Sequence, residues 1–314
     1  MQKEYSLLQE KLNGAIYTIF TAFKDDFEID YNSMEKYIDF LYSKNAKVFY
    51  VMPYNSRYSQ LREKEIFELN DFCIKKVKSL EGTTIIVSDS IHGPTKLKEE
   101  YCLKAKMAGA DIFSSICREK YFSNEQILKH YSDMNKCEVP ILVHVMPFLS
   151  GYDVQNMNWP EEIFNELCNF ENIIAVKEDT KNVNYSISLL KKYESRFRFI
   201  FAGRKEYFLK LINNGFKSYL NGTSIIDPTI DSIFLKLSKT NILEADNFVK
   251  KIDDPFWEGI VAKYGWHRVN KACLEKIGMM KRTERSPMVS LNDNDYKDVE
   301  IWVDKTLEEL KKWQ

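Results

Sequence analysis

The sequence contains no C-x-x-C pair. Its 6 cysteines, Cys73, Cys102, Cys117, Cys137, Cys168 and Cys273, are scattered along the chain. That spacing offers no metal-ribbon motif and reads as buried free thiols of a reducing compartment. His92, His130 and His267 stand at no metal-binding spacing from one another or from a cysteine, so no metal site is expected. Walker and Rossmann glycine fingerprints are missing, and no cofactor is expected. Charge of one sign is also missing: the formal net charge is -1 with 29% charged residues. Nothing here makes a nucleic-acid or membrane field over the whole surface, and lysine-rich runs such as Lys75–Lys78 read as solvated helix faces. The longest uncharged stretch, Val139–Tyr152, is too short and too broken to span a bilayer. The opening, MQKEYSLLQEK, is polar and charged, so no secretory leader is expected. These absences leave a cytoplasmic protein with neither nucleic acid nor membrane as a partner.

What is present is apolar and periodic. The 314 residues are 44% hydrophobic and 14% aromatic, ample for a large core. Short apolar runs at residues 14–21, 47–52, 83–88, 111–116, 140–146, 173–177, 197–202 and 217–220 read as strands. Helical patterns lie between them. Met34, Tyr37, Ile38 and Leu41 share one helical face after a start at Asn32. Leu97, Tyr101, Lys104 and Ala108 form a stripe that ends at Gly109, and residues 160–170 and 183–193 give two further helices. Eight strand–helix units in this length predict a parallel sheet closed into a (β/α)8 TIM barrel over residues 1–228. Strand signals then stop, and three or so helical stripes run to Gln314. With no Pro/Gly-rich linker before them, residues 229–314 are expected as a C-terminal helical extension packed on the barrel.

Chemistry concentrates at Asn172–Thr180, NIIAVKEDT. The run Ile173–Val176 delivers Lys177 at its end, and acid follows at once in Glu178 and Asp179. Burial lowers the pKa of a lysine and makes its amine a nucleophile towards a carbonyl. The alternative is a lysine that marks where the strand emerges into water. Barrel active sites lie at the C-terminal ends of the strands, and alternation would put Ile173, Ala175 and Lys177 on the inner face together. His144, near the end of the neighbouring strand with Leu142 and Met146 on its side, could accept and donate a proton; its alternative is a core histidine bonded to a carbonyl. Tyr54, Asn55 and Ser56 could offer hydroxyl or amide groups at the same mouth, or form an ordinary turn. Arg57 and Arg204 follow strands two and seven and could hold a carboxylate, or sit solvated on the surface.

Several segments occur in one order: GAIYTIFTAF at 14–23, Asp30 before a helix, Leu61 and Glu65 where the next helix opens, Met107-Ala108-Gly109-Ala110-Asp111 before strand four, Val143-His144-Val145-Met146-Pro147 at strand five, Ala175-Val176-Lys177-Glu178 at strand six, then Gly203, Gly215…Pro228 and Lys281…Arg285-Ser286-Pro287. In this the chain resembles the dihydrodipicolinate synthase / N-acetylneuraminate lyase family, class I aldolases and lyases that form a Schiff base with pyruvate or another 2-oxo acid. The resemblance spans essentially the whole chain. It implies a Schiff-base lysine at Lys177, a proton shuttle at His144 where the family has a tyrosine, and a homodimer or homotetramer. Tyr121 would stand for a tyrosine that family members lend across a subunit interface. The family's Gly-Thr-Thr-Gly-Glu loop, which holds the oxo-acid carboxylate, is replaced by Pro53-Tyr54-Asn55-Ser56-Arg57. A proline without an N–H stands where a donor was, so a different loop shape is expected. The arginine after the strand-five proline falls near Leu149, and the glycine after strand three is Ser88.

The function that follows is a Schiff-base lyase or aldolase making or breaking a C–C bond in a small 2-oxo acid or sugar-acid-like substrate. Two alternatives stay open: a 2-oxo sugar acid dehydratase of the same superfamily, and a catalytically inactive barrel that binds a small acid or a partner.

Overall fold

The computed structural model describes residues 2–90, 92–117, 123–146 and 158–314. The eight strands are β1 (Gly14–Thr18), β2 (Val48–Tyr50), β3 (Thr84–Ser88), β4 (Ile112–Ser115), β5 (Ile141–Val145), β6 (Ile173–Glu178), β7 (Arg198–Phe201) and β8 (Ser218–Leu220). Each pairs in parallel with the next, and β8 returns to β1 to close the barrel. All but β6, which runs one residue further to Glu178, are shorter than the apolar runs that announced them. The second run continues past β2 to the mouth, where Met52 lines the cavity.

Both strand faces are buried, which is why the runs are apolar throughout rather than alternating. Ile16, Tyr50, Ile86, Ile112, Leu142, Ala175, Ile200 and Leu220 fill the interior. The alternate residues face the surrounding helices: α2 (Tyr31–Ser43), α3 (Glu63–Lys78), α4 (Thr95–Ala108), α5 (Asn124–Asn135), α6 (Glu161–Leu167), α7 (Val183–Tyr193) and α8 (Lys205–Leu211). The start of α2 is capped by Asp30, whose carboxylate accepts from the Ser33 amide, rather than by Asn32.

Three expectations are corrected. First, Ile173 faces outward. The pairing of β5 with β6 slips between Ile141 and Leu142, so that Ile173 and then Ala175 are matched in succession and Ile174 is the extra residue. Ile174 turns inward with Ala175, and the alternation resumes to leave Lys177 opposite His144. Second, α4 is rotated from the expected stripe: Lys98, Tyr101, Cys102 and Ala105 are buried. Lys98 is drawn in by Asp89 at 3.6 Å and by the Ile116 carbonyl. Third, a helix missed in the sequence, α1 (Gln2–Lys11), closes the barrel floor. Its Gln9 side chain donates to the carbonyls of Ile174 and Arg196 at 2.7 and 2.9 Å. With the floor closed, the C-terminal strand ends are the open end.

Beyond β8 come α9 (Thr229–Thr240), α10 (Ile242–Phe248), π-helical turns at Val249–Asp253 and Pro255–Val261, α11 (Trp266–Lys276) and α12 (Asp293–Leu310). This is more subdivided than the three or so stripes expected. The segment reaches the mouth through Trp257, Trp266 and His267. No helix of the described residues is long and apolar enough to cross a membrane.

Candidate active site

Lys177 is the penultimate residue of β6, and its side chain is 1% exposed. Its Nζ lies 2.8 Å from His144 Nε2 and 2.9 Å from Asp179 Oδ2. The other Asp179 oxygen accepts from Lys181 Nζ at 2.8 Å. Alternation sends Glu178 the opposite way, where Ser186 of α7 and Tyr207 of α8 donate to its carboxylate. The end of β6 is thus pinned from outside while Lys177 is presented inside.

Burial lowers the pKa of Lys177 below the ordinary lysine value; Asp179 opposes this and the charge of Lys181 adds to it. Burial alone would raise the Asp179 carboxyl, but the two ammonium groups outweigh it and hold the group well below the usual carboxylate range. The contact to His144 has two forms. With Lys177 protonated, the imidazole nitrogen accepts; with Lys177 neutral, a protonated Nε2 donates to the amine lone pair. A proton can pass along it in either direction.

Lys177 opens on a cavity of about 270 Å³. Asp179 and Lys181 line one side, Met52, Tyr54 and Asn55 another, and Leu220, Asn221, Trp257, Trp266 and His267 the far side. His144 is buried behind Lys177 and is not part of the lining; the Tyr54 ring stands edge-on to it at 6.5 Å.

The other residues singled out in the sequence divide. Tyr54 and Asn55 reach the cavity, but Asn55 spends its amide on the protein, donating to Thr18 Oγ1 at 2.9 Å and accepting from Trp266 Nε1 at 3.0 Å. Ser56 turns away and donates to the Ile19 carbonyl. Arg57 does not reach the cavity, contrary to its expected carboxylate role. It is buried against Glu284 at 2.9 Å, with its guanidinium 2.8 Å from His267 Nδ1 and donating to the His267 carbonyl at 2.7 Å. A guanidinium only donates, so His267 Nδ1 accepts. Burial first, and Arg57 second, push the His267 pKa down to about 4, leaving a neutral ring with its hydrogen on Nε2. Arg204 also misses the cavity, because Asp254 at 3.0 Å and Glu258 at 2.6 Å claim it. Tyr121 and Leu149 lie outside the described residues.

Residues that sequence reasoning missed are Asp179, Lys181, Asn221, Trp257 and Trp266. Asp179 had a signal, being acidic and in step with Lys177 on the inner face. The tryptophans had none, since they arrive from a segment remote in sequence.

The sequence profile described as the Dihydrodipicolinate synthetase family matches residues 11–306. The chain belongs to this family. Membership makes it a carbon–carbon lyase of the Schiff-base aldolase superfamily. It is 22% identical over 304 residues to the 4-hydroxy-tetrahydrodipicolinate synthase of a Psychrobacter species, covering 96% of this chain and 97% of that one. Among solved structures it is similar to the E. coli prophage protein YagE of the dihydrodipicolinic acid synthase family, in complex with pyruvate. There the TM-score is 0.80 at 17% identity, over 94% of this chain and 98% of that one. It is also similar to CdNal of Clostridium difficile in complex with mannosamine, with a TM-score of 0.81 at 18% identity over 94% and 99%. At these identities the structural likeness establishes the barrel fold.

Proposed function

We propose that this family member acts on a small 2-oxo acid, making or breaking a C–C bond through an imine at Lys177. One observation carries the reading: a buried amine, lowered in pKa, sits between an imidazole and a carboxylate at the edge of a cavity in the barrel mouth.

The neutral Lys177 amine attacks the keto carbon, forming the C–N bond as the carbonyl π pair moves to oxygen. His144 relays the proton of the attacking nitrogen back through that nitrogen to the alkoxide, giving the carbinolamine, and a second proton, taken up from solvent, converts its hydroxyl into the leaving water. Water departs and a protonated imine remains. Its positive charge lies beside Asp179, which is already ionised and needs no reorganisation to stabilise it. The iminium then accepts the electron pair of the adjacent C–C bond in cleavage, or releases a Cα proton to give the enamine that attacks an electrophile in synthesis. Because His144 stands behind Lys177, its proton traffic runs through Nζ. The two carboxylate-binding arginines expected from the sequence play no direct part.

The test is borohydride reduction in the presence of pyruvate, followed by peptide mass analysis. A reduced adduct on Lys177, absent in Lys177→Ala, is the expected result. No adduct at Lys177 with pyruvate or a longer 2-oxo acid removes the reading.

A further inference from the structure

A directional hydrogen-bond chain runs along the cavity wall. Trp266 Nε1 is a donor only, so the atom it meets at 3.0 Å is the oxygen of Asn55, and the Asn55 amide nitrogen points to Thr18 Oγ1 at 2.9 Å. Thr18 Oγ1 accepts there and therefore donates onward, to Asn221 Oδ1 at 3.2 Å. The Thr18 backbone N–H donates to the same oxygen at 2.9 Å, which fixes the Asn221 amide from its other side. All the polarity of the chain drains towards Asn221, whose Nδ2 ends it without a partner although the residue is only 2% exposed.

A second unpartnered donor belongs to another residue that lines the same cavity. Trp257 stacks on Trp266 at 4.9 Å with 1° between the planes, and its Nε1 is likewise buried and unpartnered. Asn221 and Trp257 both line the cavity that holds Lys177. A buried donor left without a partner is costly, so two of them on residues that line one cavity point to a ligand that accepts from both. Neither group can accept, and the charges that line the same cavity include the ammoniums of Lys177 and Lys181 around the one carboxylate of Asp179, two cations to one anion. An acceptor of two hydrogen bonds that is also drawn to cations is a carboxylate.

We propose that Asn221 Nδ2 and Trp257 Nε1 receive a carboxylate of the substrate, on the β8 side of the mouth. This rests on the imine reading above and adds which residues select an acid over a neutral ketone. The Asn55 side chain contributes indirectly, by orienting the chain that ends at Asn221.

Two variants test it. Asn221→Asp keeps the oxygen that Thr18 needs and replaces the donor by an acceptor. Trp257→Phe removes the indole N–H together with part of the ring system and keeps one ring against Trp266. Half-saturating concentrations for borohydride trapping at Lys177 are measured with pyruvate and with methyl pyruvate, its uncharged ester. Pyruvate is expected to need roughly tenfold more in Trp257→Phe and more again in Asn221→Asp, with a clearly smaller loss for the ester, whose neutral oxygens accept more weakly than a carboxylate. Unchanged pyruvate values in both variants, or equal losses for acid and ester, overturn the proposal and leave the imine standing. If the unaltered protein traps neither compound, the imine reading fails instead. Calorimetric titration with pyruvate then decides the carboxylate site: binding lost in Asn221→Asp supports it, and no difference between the two proteins overturns it.

Discussion

Asp179 governs how readily Lys177 gives up its proton. Its charge raises the lysine pKa, against burial and Lys181, which lower it. Asp179→Asn therefore shifts Lys177 further down. The reactive form is the deprotonated amine, so the limb of the borohydride-trapping profile that marks lysine deprotonation is expected to move to lower pH, measured as trapping rate against pH with pyruvate. A limb that stays in place would mean that Asp179 does not set the charge of Lys177. Turnover is expected to fall in the same variant, because the iminium loses the anion 2.9 Å from its nitrogen. At this scale the sequence was informative where chemistry is local. Lys177 is near the end of β6 and Asp179 one residue past it, and their company follows from the alternation of extended chain. Arg57 misled because its charge is answered by Glu284, a residue 227 positions away. The sequence could not pair them.

Among elements, the strand ends and the π-helical turns make the mouth together. Gly222, at the end of β8, faces the ring of Trp257, and a Cβ there would lie 3.3 Å from Trp257 Cζ2. A Cβ at that distance is closer than ordinary contact, so the ring must give way. Gly222→Ala is expected to fold with a melting temperature within a few degrees of the unaltered protein. It pushes the indole from its stack on Trp266 and raises the pyruvate concentration needed for half-maximal trapping. Thermal denaturation and the trapping assay, run side by side, separate the two effects; a loss of folding alone would count against the placement of Trp257. Element existence was legible where the pattern was strong: α7 runs over Val183–Tyr193 as its apolar spacing indicates. The slip between β5 and β6 was not legible. A bulge changes which residue faces inward without changing composition, and a run apolar on both faces carries no mark of it.

Buried charge joins parts of the molecule that lie far apart in sequence. Arg57 and Glu284, with side chains 1% and 0% exposed, join the β2 loop to the segment between α11 and α12. Gln60 donates to the same carboxylate at 2.9 Å, and Lys271 of α11 donates to the Thr21 carbonyl at 2.8 Å. Removing one partner of a buried pair strands the other without solvent. Glu284→Ala is thus expected to cost on the order of 3–5 kcal/mol, read by urea unfolding. Arg57→Met combined with Glu284→Leu, which removes both charges, is expected to recover much of that loss. A Glu284→Ala protein as stable as the original would show that this contact does not hold the C-terminal segment in place.

The sequence by itself determined the closed barrel and the lysine at its open end. Both follow from local order: apolar runs alternating with amphipathic helices, and one cation placed at the close of a buried strand. Only the tertiary structure decided what surrounds that lysine. Asn221, Trp257, Trp266 and the Arg57–Glu284 pair meet because the chain after β8 folds back over the mouth. Contacts of that range depend on how whole elements pack, and no spacing along the chain encodes them.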